Sequence, residues 1–448
     1  MEQFYRKNVA RYHKLVAALD PFPKPRISNG TPDANMIVSA RIRPLAEDEG
    51  FPCAMFSRSN QKNVVDVLDL YNHPRSVPVL RSSDYQVDRL YDSTSTTDEI
   101  YDDLVHDLVP FAWSGGIGTL FAYGQTGSGK TFTISRLEEL VAETLMKGSL
   151  EGGRDIYMTF IELAGNAAFD LLSGREPISL LQDSDGTTQM VGVEEHQVSS
   201  LDDMSALVDR ANSFRRTEPT LKNPVSSRSH AICRIRIQNS SDGSDGLLYL
   251  IDLAGSESAR DVAVHGADRM RETKQINISL SVLKDCIRGK AQANAAPSGQ
   301  KPPHIPFRQS ALTRVMKHVF DPASSRPCKT VVIACVTPSL ADVGPSKNTL
   351  RFAEMLRVSG PAGHESDAEH KTEEKKTAMT WSNAELRQWI KENSGTPPIL
   401  DNIVAPRESG AKFFDLSSRE IDYRCQKCPG VKAKQAQAFR AKLWEMYI

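Results

Sequence analysis

The chain has 448 residues and a formal net charge of −1, with 55 Lys and Arg against 56 Asp and Glu. That balance excludes a polyelectrolyte that binds nucleic acid through bulk charge, so an acidic partner must be met by a local basic patch. With 40% hydrophobic and 25% charged residues and no apolar run near the ~18 residues of a bilayer span, the composition is that of a globular protein of two or three domains outside the membrane. The polar start MEQFYRKNVARYHKLVAALD is unlike a secretory signal, which points to the cytoplasm. Seven cysteines without a framework spacing read as reduced thiols. Cys425 and Cys428 form one CxxC without a second ligand pair, so local packing outweighs zinc or redox work there.

In chain order, Glu2 to Leu19 carry Tyr5, Val9, Tyr12, Leu15, Val16 and Leu19 at helical spacing, and prolines 21, 23 and 25 end the segment. Residues 35–42 predict a strand. The apolar runs 247–251 (LLYLI) and 330–336 (TVVIACV) suit strands buried on both faces of a sheet. Gly289 to Pro303, rich in Ala, Gly, Pro, Gln and Lys, predicts an exposed loop. Residues 361–380 are polar and charged and predict a linker. Beyond it, Ser382 is placed to cap a helix with Leu386, Trp389 and Ile390 inward. A second helix is expected over 432–446 with Ala436, Phe439, Leu443 and Trp444 on one stripe. No heptad run is long enough for a coiled coil.

Three segments carry chemistry. The first is Gly124-Gln125-Thr126-Gly127-Ser128-Gly129-Lys130-Thr131, a complete G-x-x-x-x-G-K-T after an apolar strand. Glycines there let backbone N–H groups turn toward phosphate, Lys130 reaches the β- and γ-phosphates, and Thr131 is a Mg2+ ligand. Phe132, just inside the following helix, either packs on adenine or fills the core. The second segment, Asn223 to His230, offers Ser226, Ser227 and Arg228 to a γ-phosphate and its metal. Alone it is a serine-rich turn. The third, Leu250 to Glu257, ends an apolar strand at Asp252, the expected partner of hydrated Mg2+. Gly255 permits close backbone approach to phosphate, and Glu257 is a partner for Arg228. His230 is better read as a packed, hydrogen-bonded residue than as a catalytic base.

Together and in this order, the segments resemble the phosphate loop, switch I and switch II of the kinesin motor domain. Arg41-Ile42-Arg43-Pro44 resembles the family's adenine-side segment. Glu272 to Leu280 resembles its relay helix, His304 to Thr313 its P-[FY]-R-x-S-K-L-T, and Asn348 to Ala353 its T-L-R-F-A ending. The resemblance covers about Met36 to Val358. It implies an α/β P-loop NTPase with a central, mainly parallel sheet flanked by helices, binding ATP and Mg2+, with tubulin or microtubules as partner and a cytoskeletal location. It also implies that Arg228 and Glu257 form a salt bridge positioning the attacking water, while Thr131, Ser226, Ser227 and Asp252 organise Mg2+.

Residues 157–162, 169–172, 191–196, 266–269 and 283–288 resemble kinesin-13, whose members peel tubulin from microtubule ends. The nearest match to that subfamily's Lys-Val-Asp loop tip is Val64-Val65-Asp66, without the lysine. Ile278 and Ala311 stand where the family places tubulin-facing lysines, while Arg288, Lys290, Lys301, Arg314, Lys317 and His318 supply basic charge nearby. The C-terminal segment resembles a SAM domain, through Trp381-Ser382, Leu386, Trp389-Ile390, Gly410 to Leu416 and Leu443-Trp444, and this implies a protein partner or self-association. A helical bundle is the other reading. The expected organisation is a neck-like extension over 1–34, a motor domain over 35–360, a linker over 361–380 and a small all-α domain over 381–448. Three functions remain open: a motor or end-depolymerising ATPase, a tether with little force output, and a nucleotide-switched signalling protein.

Overall fold

The computed structural model describes residues 2–19, 35–58, 61–71, 77–182, 188–216, 228–239, 245–256, 267–295, 304–321, 326–357, 381–409, 413, 416 and 418–445. The chain divides into two units, Met1–Gly363 and His364–Ile448.

The first unit starts with α1 (Glu2–Ala17) and β1 (Met36–Ile42). Strands β2 (Met55–Arg58), β3 (Gln61–Tyr71) and β4 (Val79–Gln86) form a small antiparallel sheet of their own. Then come β5 (Arg89–Tyr91), α2 (Thr97–Ile100), α3 (Leu108–Trp113), β6 (Ile117–Tyr123) and α4 (Lys130–Met146). Strands β7 (Arg154–Ala164), β8 (Ala167–Asp170), β9 (Glu176–Gln182), β10 (Thr188–Val191) and β11 (His196–Val198) precede α5 (Leu201–Arg216). β12 (His230–Asn239), β13 (Asp245–Asp252), α6 (Ala267–Ala295), α7 (Ala311–Val315), α8 (Lys317–Phe320), β14 (Cys328–Val336) and α9 (Val343–Arg357) complete the unit.

The main sheet runs β10-β9-β8-β7-β12-β13-β6-β14-β1-β5, with β11 added on β7. Its five strands β13-β6-β14-β1-β5 pair in parallel, and an antiparallel extension continues from β12 outward. Both faces are covered, as the apolar runs require. Along β6, Phe121 and Tyr123 feed one hydrophobic cluster while Leu120 and Ala122 feed the other. β6 lies between β13 and β14, so the turn after Tyr123 opens at the carboxyl end of the parallel strands, where α/β sheets bind ligands.

Several expectations change. Helix α6 runs through Gly289 to Ala295, where the sequence predicts a loop. Gly289 serves close packing there: a Cβ would stand 3.1 Å from the Ile305 side chain, and the alanine-rich stretch after it favours helix. Val64, Val65 and Asp66 lie inside β3, fully buried, with Asp66 in a bidentate pair with Arg58 at 2.6 and 2.7 Å. They are therefore not a loop tip. The connection from β3 to β4, residues 72–78, reads NHPRSVP and contains no Lys-Val-Asp. Ala311 is fully buried at the start of α7, its N–H donated to Asn166 Oδ1, so that position cannot present a side chain to a partner. Ile278, on α6, is 47% exposed and does.

Helix α1 packs within the first unit. Tyr5 and Tyr12 are buried, one turn pair apart on the same face. The Tyr5 hydroxyl donates to Asp69 at 3.0 Å and that of Tyr12 to the Cys53 carbonyl at 2.9 Å. Tyr12→Ala is expected to lower the unfolding free energy by about 3–5 kcal/mol, from the lost aromatic burial and an orphaned carbonyl, as measured by urea denaturation. A loss under about 1 kcal/mol would mean α1 is a peripheral attachment.

The second unit holds α10 (Asn383–Asn393), α11 (Asp401–Val404), α12 (Ser418–Gln426) and α13 (Ala433–Glu445). Ser382 caps α10 in a capping box with Glu385, as its spacing predicts. Leu386, Ile390, Val404, Phe413, Ile421, Cys425 and Phe439 form the core, with Trp389 packed against it. Of residues 410–416 only Phe413 and Leu416 fall within the described set, and the side chains of Leu443 and Trp444 fall outside it. Cys425 and Cys428 are buried packing residues, and Cys428 Sγ accepts the Leu400 N–H. Among the described residues no group of three His, Cys, Asp or Glu side chains is placed to hold a metal. No helix among them is long and apolar enough to cross a membrane.

Candidate functional site

The first segment forms the turn between β6 and α4. Gly124 could carry no side chain, because a Cβ would sit 2.2 Å from the Cys335 carbonyl oxygen on β14. Gly127 (φ 79°) and Gly129 (φ 92°) take left-handed conformations that steer the backbone around the turn, and Gly129 is the N-cap of α4. Lys130 is 6% exposed and folds its ammonium onto the loop, donating to the carbonyls of Gly124 at 3.0 Å and Gln125 at 2.9 Å. Ser128 is buried and donates to the Gln125 carbonyl, while the Gln125 side-chain oxygen is buried without a partner among the described residues. Thr126 is half-exposed on the loop.

The third segment docks against the first. Asp252 ends β13 beside Ala122 of β6, the Leu253 N–H donates to the Ala122 carbonyl, and the Ser256 N–H donates to the Gly124 carbonyl at 3.0 Å. Thr131 Oγ1 donates to Asp252 Oδ2 at 2.7 Å. Gly255 is buried between these contacts. The second segment is described from Arg228 onward. Arg228 is half-buried two residues before β12, while Ser226, Ser227 and Glu257 lie outside the described residues. β12 pairs antiparallel with β13, setting Ala231 opposite Asp252, so the segments adjoin at one end of the sheet.

On the flank, Arg41 is buried. Its guanidinium donates to Thr133 of α4 and lies 5.4 Å from the Phe132 ring, and burial lowers its pKa. Arg43 donates to the Gly127 carbonyl at 2.8 Å and to the Pro44 carbonyl at 2.7 Å, and pairs with Glu49. Arg43 thus braces the loop at Gly127, while Arg41 is anchored on the first turn of α4. Phe132 is 69% exposed, which removes the core-contact reading and leaves its ring free at the rim.

Arg215, in the last turn of α5, is a site residue that the motifs do not show. It donates to Asp252 Oδ2 at 2.6 Å and to the Ser229 carbonyl at 3.0 Å, and only 5% of its side chain is exposed. Glu138, on the Thr131 face of α4, lines a small cavity with Thr131, Arg215 and Asp252. Burial, aided by the Asp252 charge, pushes its carboxyl up to about 8. Asp252 Oδ1 is buried and accepts no hydrogen bond among the described residues. That open carboxylate oxygen, with the Thr131 hydroxyl beside it, is a hard-oxygen pair that fits Mg2+, whose other ligands come from phosphate and water.

His230 opens β12 and is fully enclosed. The Ala254 N–H donates to its Nδ1 at 3.0 Å, so the proton sits on Nε2, which reaches Ser279 Oγ on α6 at 2.9 Å. Burial, reinforced by Arg215, pulls the imidazole down to about 3, so it is neutral and has no free nitrogen for base catalysis. His318 is likewise pulled down to about 3 by burial against Tyr249 and Thr119. Both are neutral when folded and protonate when unfolded below pH ~6.5. Unfolding then takes up two protons, so stability is full above pH ~6.5 and falls toward pH 3. Glu138 opposes this between its ordinary pKa and about 8, because its folded form keeps a proton that the unfolded form loses. The expected net slope between pH ~4.5 and 6.5 is that of one group, about 1.4 kcal/mol per pH unit, checked by urea midpoints across that range. A flat profile would contradict neutral histidines in the fold.

A profile of the kinesin motor domain matches residues 41–358. The diatom spindle kinesin-1 of Cylindrotheca fusiformis is 34% identical over 334 residues, covering 72% of this chain and 51% of that protein. Two kinesin-like proteins of Arabidopsis thaliana are also similar over 72% of the chain: KIN-13B at 32% identity, across 47% of its length, and KIN-8A at 31%, across 46%. The chain thus spans about half the length of the curated relatives it matches. Two solved structures share the fold. The motor and motor homology domain of Kar3Vik1 on a synthetic coiled coil gives a TM-score of 0.59 at 28% identity, covering 72% of this chain and 85% of that one. A KIF14 dimer, two heads bound with AMP-PNP on a microtubule, gives 0.60 at 25% identity, covering 72% and 94%. The chain belongs to the kinesin motor family.

Proposed function

We propose that the chain is a microtubule-stimulated ATPase, a kinesin-like motor that binds ATP with Mg2+ in the turn between β6 and α4. The observation that carries this is the meeting of the phosphate loop and Asp252: Thr131 on Asp252 at 2.7 Å and the Ser256 N–H on Gly124 at 3.0 Å. The KIF14 neighbour, with AMP-PNP on a microtubule, supports both ligand and partner. Lys130 exchanges its two loop carbonyls for the β- and γ-phosphates. Arg43 holds the loop, Arg41 the first turn of α4, and exposed Phe132 offers a ring to adenine. Thr131, Ser227 and Asp252 would hold Mg2+, which supplies charge neutralisation across the phosphates. Ser226, Ser227 and Gly255 would surround the γ-phosphate while the pairing of Arg228 with Glu257 orients the attacking water. Positioning and charge stabilisation suffice for this chemistry.

For the finer activity we propose kinesin-13-type removal of tubulin from microtubule ends, supported by the kinesin-13-like segments and the similarity to KIN-13B. Because Val64 to Asp66 are buried within β3, such activity would have to work without a Lys-Val-Asp tip at those residues. Exposed Ile278 in place of lysine favours the second reading, a microtubule tether with weak motor output. The C-terminal unit is proposed as a SAM-like module that binds a partner protein or a second copy and supplies valency. The domain division at 34, 360 and 380 and a cytoskeletal location belong to the same proposal. The purified chain on stabilised microtubules with ATP tests it. Turnover stimulated by ends with filament shortening supports depolymerisation, and stimulation with gliding supports stepping. Binding without stimulation supports the tether, and nucleotide binding without any microtubule response refutes all three.

A further inference from the structure

We propose that His230 is a hydrogen-bonded strut that ties the main chain of the Asp252–Ser256 segment to helix α6, so that the nucleotide state is passed to α6 through the pair His230–Ser279. This rests on the nucleotide reading of the site. The strut has two ends. At one, the Ala254 N–H enters Nδ1 at 3.0 Å. Two residues later the Ser256 N–H is held by the Gly124 carbonyl of the phosphate loop, so Ala254 belongs to a short peptide anchored directly to that loop. At the other end, Nε2 and Ser279 Oγ are 2.9 Å apart, and Ser279 Oγ donates its own proton to the Ile276 carbonyl at 2.7 Å. The hydroxyl is therefore the acceptor and the ring the donor, which fixes the tautomer at both nitrogens.

Ser279 lies on the buried stripe of α6 with Ile276, Leu280 and Leu283, while Ile278 faces outward. Its apolar neighbours Ile276, Leu280 and Leu283 are buried beside it, and a buried hydrogen bond in such a setting is costly to break and specific in direction. A rigid ring with one acceptor and one donor on opposite edges transmits displacement better than a flexible side chain. Movement of the Ala254 peptide therefore either drags Ser279 and its helix or breaks a bond. Among the described residues, the His230 side chain bonds Ala254 and Ser279 and neither the phosphate loop nor Thr131 or Asp252, which makes it a positioning residue.

Ser279→Thr and Ser279→Val test this, since the two side chains have one shape and differ in the hydroxyl, and Ser279→Ala guards against a packing defect from branching. Amide hydrogen exchange of α6 is compared between the ADP-bound and AMP-PNP-bound chain, alongside nucleotide affinity and microtubule-stimulated turnover. The expected result is a nucleotide-dependent exchange difference in wild type and in Ser279→Thr that collapses in Ser279→Val and Ser279→Ala. Nucleotide affinity should stay within about twofold while stimulated turnover falls about three- to tenfold in the two variants without the hydroxyl. Exchange that responds fully in Ser279→Val and Ser279→Ala, or that responds in no protein including wild type, overturns the strut. A wild-type exchange response without microtubule stimulation would remove the motor reading and leave the strut standing, because the exchange comparison decides it independently.

Discussion

Lys130→Ala is expected to lower ATP turnover about a thousandfold with the fold intact. The ammonium is 6% exposed and lies between the Gly124 and Gln125 carbonyls, so a charge has already been drawn out of water at the cost of its hydration. Two loop carbonyls accept its protons there, and a triphosphate offers it a group of greater negative charge. A triphosphate spreads its developing charge over phosphoryl oxygens, and a desolvated cation inside the loop is worth far more against that charge than one in water. The loop geometry does not depend on the side chain, since Gly124, Gly127 and Gly129 set the turn and Arg43 braces Gly127 from outside. Lys130→Arg is expected not to restore turnover, because the branched guanidinium does not fit between two carbonyls that hold a point charge. Single-turnover hydrolysis, with a thermal melt as the folding control, measures this. Turnover within tenfold of wild type would place the phosphate site elsewhere in the chain.

How much of this could be read from residues alone differs between the loop and its surroundings. The phosphate loop was legible because its chemistry is local: glycines, lysine and threonine are consecutive, and each acts through its own backbone or a short reach. The strands flanking it were legible because burial on both faces demands continuous apolar runs, which 247–251 and 330–336 supply. Gly289 misled for the opposite reason. A glycine inside a polar, alanine-rich stretch looks like a breaker, yet its meaning lies in the approach of Ile305 from another segment. Ala311 and Val64 to Asp66 misled similarly, because motif alignment assigns a position to a surface without knowing its burial. Arg215 belongs to no motif. Its partner Asp252 is 37 residues further on and the two meet only once β12 and β13 have paired, so no spacing rule reports it. The one signal was an arginine closing the amphipathic segment before the Asn223 to His230 motif, and many exposed helices end in arginine.

Arg215→Ala is expected to destabilise the nucleotide-free chain by about 3–5 kcal/mol, far beyond what a surface ion pair is worth. The comparison is available within the molecule: Arg136 and Asp98 pair at a similar 2.7 Å, but with side chains 36% and 56% exposed, whereas Arg215 and Asp252 are 5% and 3% exposed. Removing Arg136 leaves Asp98 to water and costs little. Removing Arg215 leaves a buried carboxylate beside the buried Glu138, with the Thr131 hydroxyl alone among the described side chains to satisfy it, and releases the Ser229 carbonyl as well. The deficit should depend on ligand. Arg215 supplies positive charge at the same carboxylate that is proposed to hold Mg2+, so a bound divalent cation compensates for its loss. Thermal melts without ligand and with Mg2+ and AMP-PNP should therefore show a large deficit in the first condition and a much smaller one in the second, while Arg136→Ala changes little in either. An equal deficit in both would mean that Arg215 holds the sheet edge together without sharing the Asp252 carboxylate with a metal.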